Sequence, residues 1–438
     1  MTVELNHAAG SVMPATPSAT SARPHVAVLF YRIGPYHHAR LKAAGSRLRV
    51  TAVEFSNVDP TYAWDLVEGA EGFNRMMLFS GVSVDGQAAR NIAHRVAEVL
   101  DQLDPQVVAI PGWHDRCSLA ALQFCTARGI PVVVMSESTA WDDERTWWKE
   151  ALKRRVVNLG SAGLVGGRVH ADYLYQLGMA REHIFLGYDA VDNAHFATGA
   201  AKWQRLKAEA RKQYGLPERY FLASARFVEK KNLARLIEAY ATYRKLALTP
   251  PKSNAQPSTT PWSLVLLGDG PLRSTLNSQL STLNLNGHVL LPGFKQYDEL
   301  PVYYGLASAF VHASTIEQWG LVVNEAMASG LPVLVSNRCG CAADLVQEGV
   351  NGFTFEPLDV ENLAQLMLKL STLNTQLAAF GAASRELISH WGPERFAEGL
   401  NQAVQCVLRV GPPKSSTVQR LILKVILQRK REREVSNN

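Results

Sequence analysis

Residues 309–337 read AFVHASTIEQWGLVVNEAMASGLPVLVSN, with two apolar runs, AFVHAS and PVLVSN, on either side of a small-residue helical segment. Strands that are apolar without alternation are buried on both faces, and a helix between two of them makes a parallel crossover unit. The same rhythm extends outward in both directions. YFLASA (220–225), SLVLLG (263–268) and HVLLPG (288–293) precede the stretch and GFTFEP (352–357) follows it, with helical patterns over 232–246, 271–283 and 360–370. An earlier series holds HVAVLFY (25–31), RVTAVEF (49–55), VVAIPG (107–112), PVVVMS (131–136), AGLVGG (162–167) and IFLGYDAV (184–191), with helical patterns over 86–104 and 118–128. Two such series predict an α/β protein of two doubly wound domains, 25–195 and 205–390, facing each other across a cleft and joined near 193–205.

The chain has 438 residues, too many for one ordinary core, and 47% of them are hydrophobic, as in globular proteins. Residues 1–24 are small, polar and Pro-rich, and read as a disordered leader, not a signal peptide. No apolar run approaches the roughly 20 residues that span a bilayer. Five cysteines without a CxxC pair suit a reducing cytoplasm better than a disulfide or zinc framework. The net charge of +6 belongs to the end of the chain, because eight basic and two acidic residues follow position 408 and the rest balances at 37 of each sign. A nucleic-acid-binding domain would spread its cations over a folded face, so that class is set aside. TPPKSNAQPSTTP (249–261) is a flexible insertion between a helix and the next strand, on the rim away from the ligand-binding strand ends.

Ligands of doubly wound domains bind where strands exit into helices, so those loops carry the candidate site. ARFVEKKN (225–232) places Arg226 and Lys231 beside a helix start, where two cations and free amide groups would neutralise a diphosphate; a solvated loop with incidental cations is the alternative. LGDGPLR (267–273) looks like a dinucleotide fingerprint, but Arg273 replaces the third glycine, so a tight turn is the better reading. LLPGFKQYDEL (290–300) has a Pro-Gly turn at Gly293, then Phe294 and Lys295, whose backbone would border a base. In TIEQWG and the helix after it, Glu317 lies in the loop and Gly320 lets a ligand approach the first free N–H groups. Glu325 rises ~8 Å along the helix from Gly320. Two carboxylates so spaced would grip both ends of a sugar nucleotide, with phosphates between them; a helix-start carboxylate plus a surface glutamate is the plainer alternative.

EQWGLVVNEAMASGLPV resembles the E-x7-E signature of the retaining family-four glycosyltransferases of the GT-B fold (glycosyl transferases group 1). SARFVEKKNL resembles that family's Arg-x4-Lys motif, and LVLLGDGPLR, HVLLPGF and GCAADLVQEGVNGFTFEP match further stretches in order. The resemblance covers about residues 25–405 and is looser before 184. It implies two Rossmann-like domains, the first binding acceptor and the second binding a UDP- or GDP-sugar, with a terminal helix (391–408) returning to the first. Arg226 and Lys231 would hold the diphosphate, Glu325 the ribose and Glu317 the transferred sugar. Backbone at Trp319, Gly320 and Leu321 would lie against sugar and phosphate. There is no Asp-x-Asp motif, so no metal or other cofactor is expected: Arg, Lys and a helix N-terminus would stabilise the leaving diphosphate.

The match thins in the first domain. RIGPYHHARL (32–41) corresponds to the family's Gly-rich loop with one glycine, Gly34. His114 in PGWHDR (111–116) is the choice for the histidine touching the sugar's outer hydroxyl, against an ordinary locally bonded histidine; His37 is a weaker choice. SESTAWDDERTWWKE (136–150) gathers Trp141, Trp147 and Trp148 as an acceptor platform or as core. The segment 412–438 is a basic amphipathic tail with Leu421, Ile422, Val425 and Ile426 on one face, either an anionic-membrane-surface helix or a solvated arm. The expected function is a cytoplasmic glycosyltransferase, peripheral at the membrane if the tail binds it, moving a sugar with retention onto a saccharide or lipid-linked acceptor in surface polysaccharide or glycolipid assembly. The alternatives are another GT-B enzyme, such as a phosphorylase or sugar-nucleotide epimerase, and a non-catalytic nucleotide-sugar binder.

Overall fold

In a computed structural model of the chain, residues 23–58, 65–249, 260–373 and 375–429 are described. The leader (1–24) lies outside them except for its last two residues, as do 250–259 of the insertion and 430–438 of the tail. Strands β1 (His25–Phe30), β2 (Arg49–Ser56), β3 (Asn74–Phe79), β4 (Val107–Pro111), β5 (Val132–Ser136), β6 (Ala162–Val165) and β7 (Ile184–Leu186) form one parallel sheet in the order β3-β2-β1-β4-β5-β6-β7. Strands β8 (Tyr220–Ser224), β9 (Ser263–Leu267), β10 (Val289–Gly293), β11 (Ala309–His312), β12 (Val333–Ser336) and β13 (Gly352–Phe355) form the second, in the order β10-β9-β8-β11-β12-β13. Both sheets reverse strand order once, between β1 and β4 and between β8 and β11. The crevice beyond the strand ends at such a reversal is where this architecture binds ligands.

The central strands are apolar because each is covered on both faces. Leu222 and Val265 face one core cluster of the second domain while Phe221 and Leu264 face the other. Strand β3 was not foreseen from sequence. It is an edge strand, mostly half-buried, and its Arg75 pairs at 2.7 Å with the buried Glu54 of β2, so its polar residues mask it.

Residues 193–205, expected as the junction, form instead a helix (Asn193–Arg205) of the second domain. Asp192 caps it by accepting from the His195 N–H at 3.1 Å, and Phe196 buries itself in the second domain's core. A cap followed by an inward apolar stripe makes a packed helix, not a linker. The helix Pro393–Val410 packs on the first sheet, where Phe396, Leu400 and Val404 join the core of β1, β2 and β4.

The tail forms a helix, Thr417–Arg429, that lies on helices Ala89–Leu103, Arg116–Arg128 and Trp147–Val157. Its apolar face differs from the one expected: Leu423 and Leu427 are buried with Ile426 beside them, whereas Leu421 is 61% exposed. Positions 423, 426 and 427 follow the three- and four-residue helical spacing, so the domain claims that stripe and leaves Val418, Arg420, Leu421 and Lys424 outward. Leu423→Asp is expected to release the helix, read as faster amide exchange over 417–429 with exchange in β1 and β4 unchanged. Among the described residues no helix is long and apolar enough to cross a membrane. All five cysteines are free and buried.

Candidate active site

The two reversals face each other. From the second domain come the β8 loop with Arg226 and Lys231 and the β11 loop with Glu317. From the first come the β1 loop with Gly34 and the β4 loop with His114. Gly320 (φ 102°) opens the helix Leu321–Ala328, a left-handed conformation that glycine adopts without strain. Glu317 lies just before it, tied by its N–H to the Arg338 carbonyl at 3.2 Å.

Glu317 is the hub of the donor side. Lys231 Nζ donates to its Oε2, Ser314 Oγ donates to the same oxygen at 3.1 Å, and His312 Nε2 lies 3.0 Å from it. Burial pushes the Glu317 carboxyl up, but the Lys231 cation and the His312 contact more than offset it and hold it well below the usual carboxylate range. Burial and the Lys231 charge lower His312, against the pull of Glu317. Arg226 is exposed at the loop tip and has no ion pair among the described residues, so it is available to an anion. His312 and Ser314 were not singled out from sequence. They sit in AFVHAS, which reads as buried strand, and the only signal was two polar side chains alternating at its exit.

Glu325 is buried within the second domain's core and receives a hydrogen bond from the Tyr36 hydroxyl of the first domain. Its Oε2 has no partner among the described residues. Burial pushes its carboxyl up to about 7, against the pull of the Tyr304 and Tyr36 hydroxyls. A sugar diol offered to this carboxylate would therefore compete with Tyr36 for Oε1. Tyr36→Phe is expected to tighten UDP or GDP binding about fivefold, the size of one net hydrogen bond, as measured by calorimetry.

The other predicted residues fall as follows. Gly34 caps the helix Pro35–Gly45 in extended conformation, and its N–H reaches His37 Nδ1 at 3.3 Å. His37 is half-buried against Phe30, and burial and the Arg40 charge lower it to about 3, so it is neutral. His114 is exposed at the first domain's rim. Gly293 (φ 87°) ends β10 and accepts from the Gly268 N–H at 3.1 Å, with Phe294 exposed after it. The Trp319 side chain is core: its indole N–H donates to Asn324 at 2.9 Å and its ring packs near His170 and Trp391. In the backbone beside it, the Trp319 carbonyl accepts from the Cys341 N–H at 3.2 Å and the Gly320 carbonyl from the Val323 N–H at 2.9 Å, which leaves the N–H groups of this stretch to meet a ligand. Trp147 and Trp148 are 83% and 53% exposed, which removes the core-packing alternative, while the Trp141 indole N–H reaches across to the Arg338 carbonyl at 3.4 Å.

Further polar bonds hold the lobes together: His170 Nε2 lies 2.8 Å from the Gln318 carbonyl, and Arg168 pairs with Asp344 at 2.9 Å. Gly166 allows the close approach of Trp319, whose ring would be 2.9 Å from any Cβ there. Two doubly wound lobes with a cation–carboxylate site at their facing strand ends define the GT-B class. Residues 207–387 match the family described as glycosyl transferases group 1.

Solved structures agree in fold. Sucrose-phosphate synthase from Thermosynechococcus elongatus superposes with a TM-score of 0.68 at 18% identity, over 89% of this chain and 100% of that one. HepE of Anabaena in complex with UDP gives 0.64 at 17% identity, over 86% and 98%. Among curated relatives, the GDP-mannose-dependent alpha-(1-6)-phosphatidylinositol monomannoside mannosyltransferase of Mycobacterium tuberculosis is 29% identical over 42% of this chain and 46% of its own. The sulfoquinovosyl transferase of Arabidopsis thaliana is 36% identical over 28% and 24%. The chain thus spans half or less of the length of these relatives.

Proposed function

We propose that the protein transfers a sugar from a nucleotide diphosphate donor to a saccharide or lipid-linked acceptor with retention of configuration. The observation that carries this reading is the Lys231–Glu317 pair at the strand reversal, with Arg226 beside it and Glu325 one helix turn and a half beyond. Arg226, Lys231 and the amide groups opening the helix Leu321–Ala328 meet the charge of the departing diphosphate in place of a metal ion. Glu317 holds the transferred sugar through its hydroxyls and Glu325 takes the ribose diol. The acceptor attacks from the face the diphosphate leaves, through an oxocarbenium-like state. The C1–O bond to the diphosphate breaks as the acceptor oxygen bonds C1, and the acceptor proton passes to a diphosphate oxygen.

A lipid-linked acceptor draws support from two observations. The exposed Trp147 and Trp148 offer an apolar, aromatic surface on the acceptor domain. Two relatives carry names that specify lipid acceptors, the mannosyltransferase above and an alpha-monoglucosyldiacylglycerol synthase of Acholeplasma laidlawii. The outward Arg420, Leu421 and Lys424 of the tail helix would then meet an anionic membrane surface, with assembly of surface polysaccharide or glycolipid on the cytoplasmic side.

The test is a panel of UDP- and GDP-sugars, scored for release of nucleotide by chromatography and for binding by calorimetry. Release from one donor class supports the transferase. Tight binding without release indicates a non-catalytic binder. Release that requires inorganic phosphate indicates a phosphorylase.

A further inference from the structure

Beyond the predicted residues, the cleft contains a cluster that the donor site does not use. Arg40, on the helix Pro35–Gly45, and Asp189, just after β7, are 1% and 0% exposed. Their closest approach is 3.8 Å, between Arg40 Nη2 and Asp189 Oδ1, too long for a hydrogen bond. Arg40 is aimed by its Nε, which donates to the Ala190 carbonyl at 2.9 Å. Its Nη2 and both Asp189 oxygens have no hydrogen-bond partner while the acids are charged. Fully buried polar groups are seldom left so, because each loses its hydration without a replacement bond.

The third member is Glu137, at the exit of β5. It is the one that solvent reaches, and its carboxyl meets that of Asp189. Two ionised carboxylates cannot hydrogen-bond, so the contact becomes a bond only when one carries a proton. Burial and the Glu137 charge push Asp189 far up, whereas Glu137 is raised by burial and restrained by Arg40 and by the Asp189 bond. Asp189 therefore holds the proton and donates it to an ionised Glu137, and Arg40 balances the charge.

The other groups facing Glu137 place it. Glu317 from the donor loop acts on it as a like charge, His114 from the β4 loop as a cation when protonated, and Tyr188 lies beside the cluster. Glu137 directly follows β5, which lies beside β4 in the sheet, so it stands at the first domain's strand ends, on the acceptor domain's side of the cleft. Gly166 keeps the backbone clear, since a Cβ there would lie 2.4 Å from Asp189 Oδ2.

We propose that Glu137 binds and aims the acceptor's nucleophilic hydroxyl, with Asp189 and Arg40 as its positioning residues. This rests on the transferase reading above. Glu137 accepts the hydroxyl's hydrogen bond and does not keep the proton, which leaves for the diphosphate oxygen as C1 bonds the acceptor.

The experiment uses the full chain, with UDP-glucose and GDP-mannose as probes and water standing in for the acceptor. Glu137→Gln is expected to lower donor hydrolysis about tenfold or more while UDP and GDP affinity stays unchanged. The wild-type rate should rise with pH as Glu137 ionises, above the ordinary carboxylate range, and this limb should vanish in Glu137→Gln. Asp189→Asn, whose amide can still donate to Glu137, should retain most of the rate and the limb. Wild-type hydrolysis with an unaltered pH profile in Glu137→Gln overturns the proposal. So does a loss of nucleotide binding and rate together in both variants, which marks a purely structural cluster. A wild-type protein that binds and hydrolyses neither nucleotide class removes the donor-site reading itself, and this inference with it.

Discussion

Lys231→Ala is expected to lower sugar transfer by about 10²–10³-fold, the loss seen when one preorganised donor to a developing negative charge is removed. Among the described residues the Lys231 ammonium pairs with Glu317, and both side chains are largely buried, at 17% and 16% exposure. In the proposed reaction the new charge of the departing diphosphate appears beside this cation, whereas in the ground state that charge is shared with the sugar bond. The interaction therefore strengthens along the reaction and acts on kcat more than on donor affinity. The substitution also leaves Glu317 with His312 and Ser314 alone, so its carboxyl, held low by Lys231, rises toward the ordinary range. Lys231→Arg keeps the charge with a different reach and separates the two consequences. Steady-state kinetics with circular dichroism of each variant checks the result: a folded Lys231→Ala protein with wild-type kcat contradicts the site.

Glu325→Gln is expected to weaken UDP or GDP binding by about 1.5–3 kcal/mol, the range for a hydrogen bond to a charged group, and to abolish its pH dependence. Burial pushes the Glu325 carboxyl up to about 7 in the folded protein. Above that pH it is ionised and accepts strongly from a diol; below it, it is neutral. Nucleotide affinity should therefore rise as pH increases through about 7 and level off above it. The stability contribution runs the other way. A carboxyl whose folded-state pKa is raised binds more protons folded than unfolded, so its contribution is fully present below its ordinary range and declines as pH rises to about 7. Glu325→Gln should flatten both curves. Calorimetric titration of UDP and GDP between pH 5.5 and 8.5, roughly the span over which this carboxyl changes charge, distinguishes the outcomes; a wild-type affinity independent of pH contradicts ribose recognition by Glu325.

The fold was legible wherever burial left its mark on neighbouring residues. Apolar runs such as SLVLLG and AFVHAS are buried on both faces and could be read directly. Strand β3 could not, because NRMMLF is an edge strand whose Arg75 serves a partner on β2. The helix Asn193–Arg205 reads as a junction in sequence because no run of bulky apolar residues announces it; its buried residues are only two, Phe196 and Ala200. The tail shows the same limit. Its amphipathic period was visible, but six apolar residues within the seven positions 421–427 allow more than one inward face, and only the groove between three helices selects Leu423 and Leu427.

The sequence by itself determined the two parallel sheets, the exit loops that meet in the cleft, and the presence of cations and carboxylates on those loops. These depend on side-chain chemistry and on spacing along one stretch of chain. Only the tertiary structure decided that Tyr36 bonds Glu325, 289 residues away, that His312 and Ser314 converge on Glu317, and that Glu137, Asp189 and Arg40 share one buried charge balance. Such contacts arise from how the two sheets approach each other, and a hydrogen bond or a displaced proton between distant segments leaves no periodic trace in either.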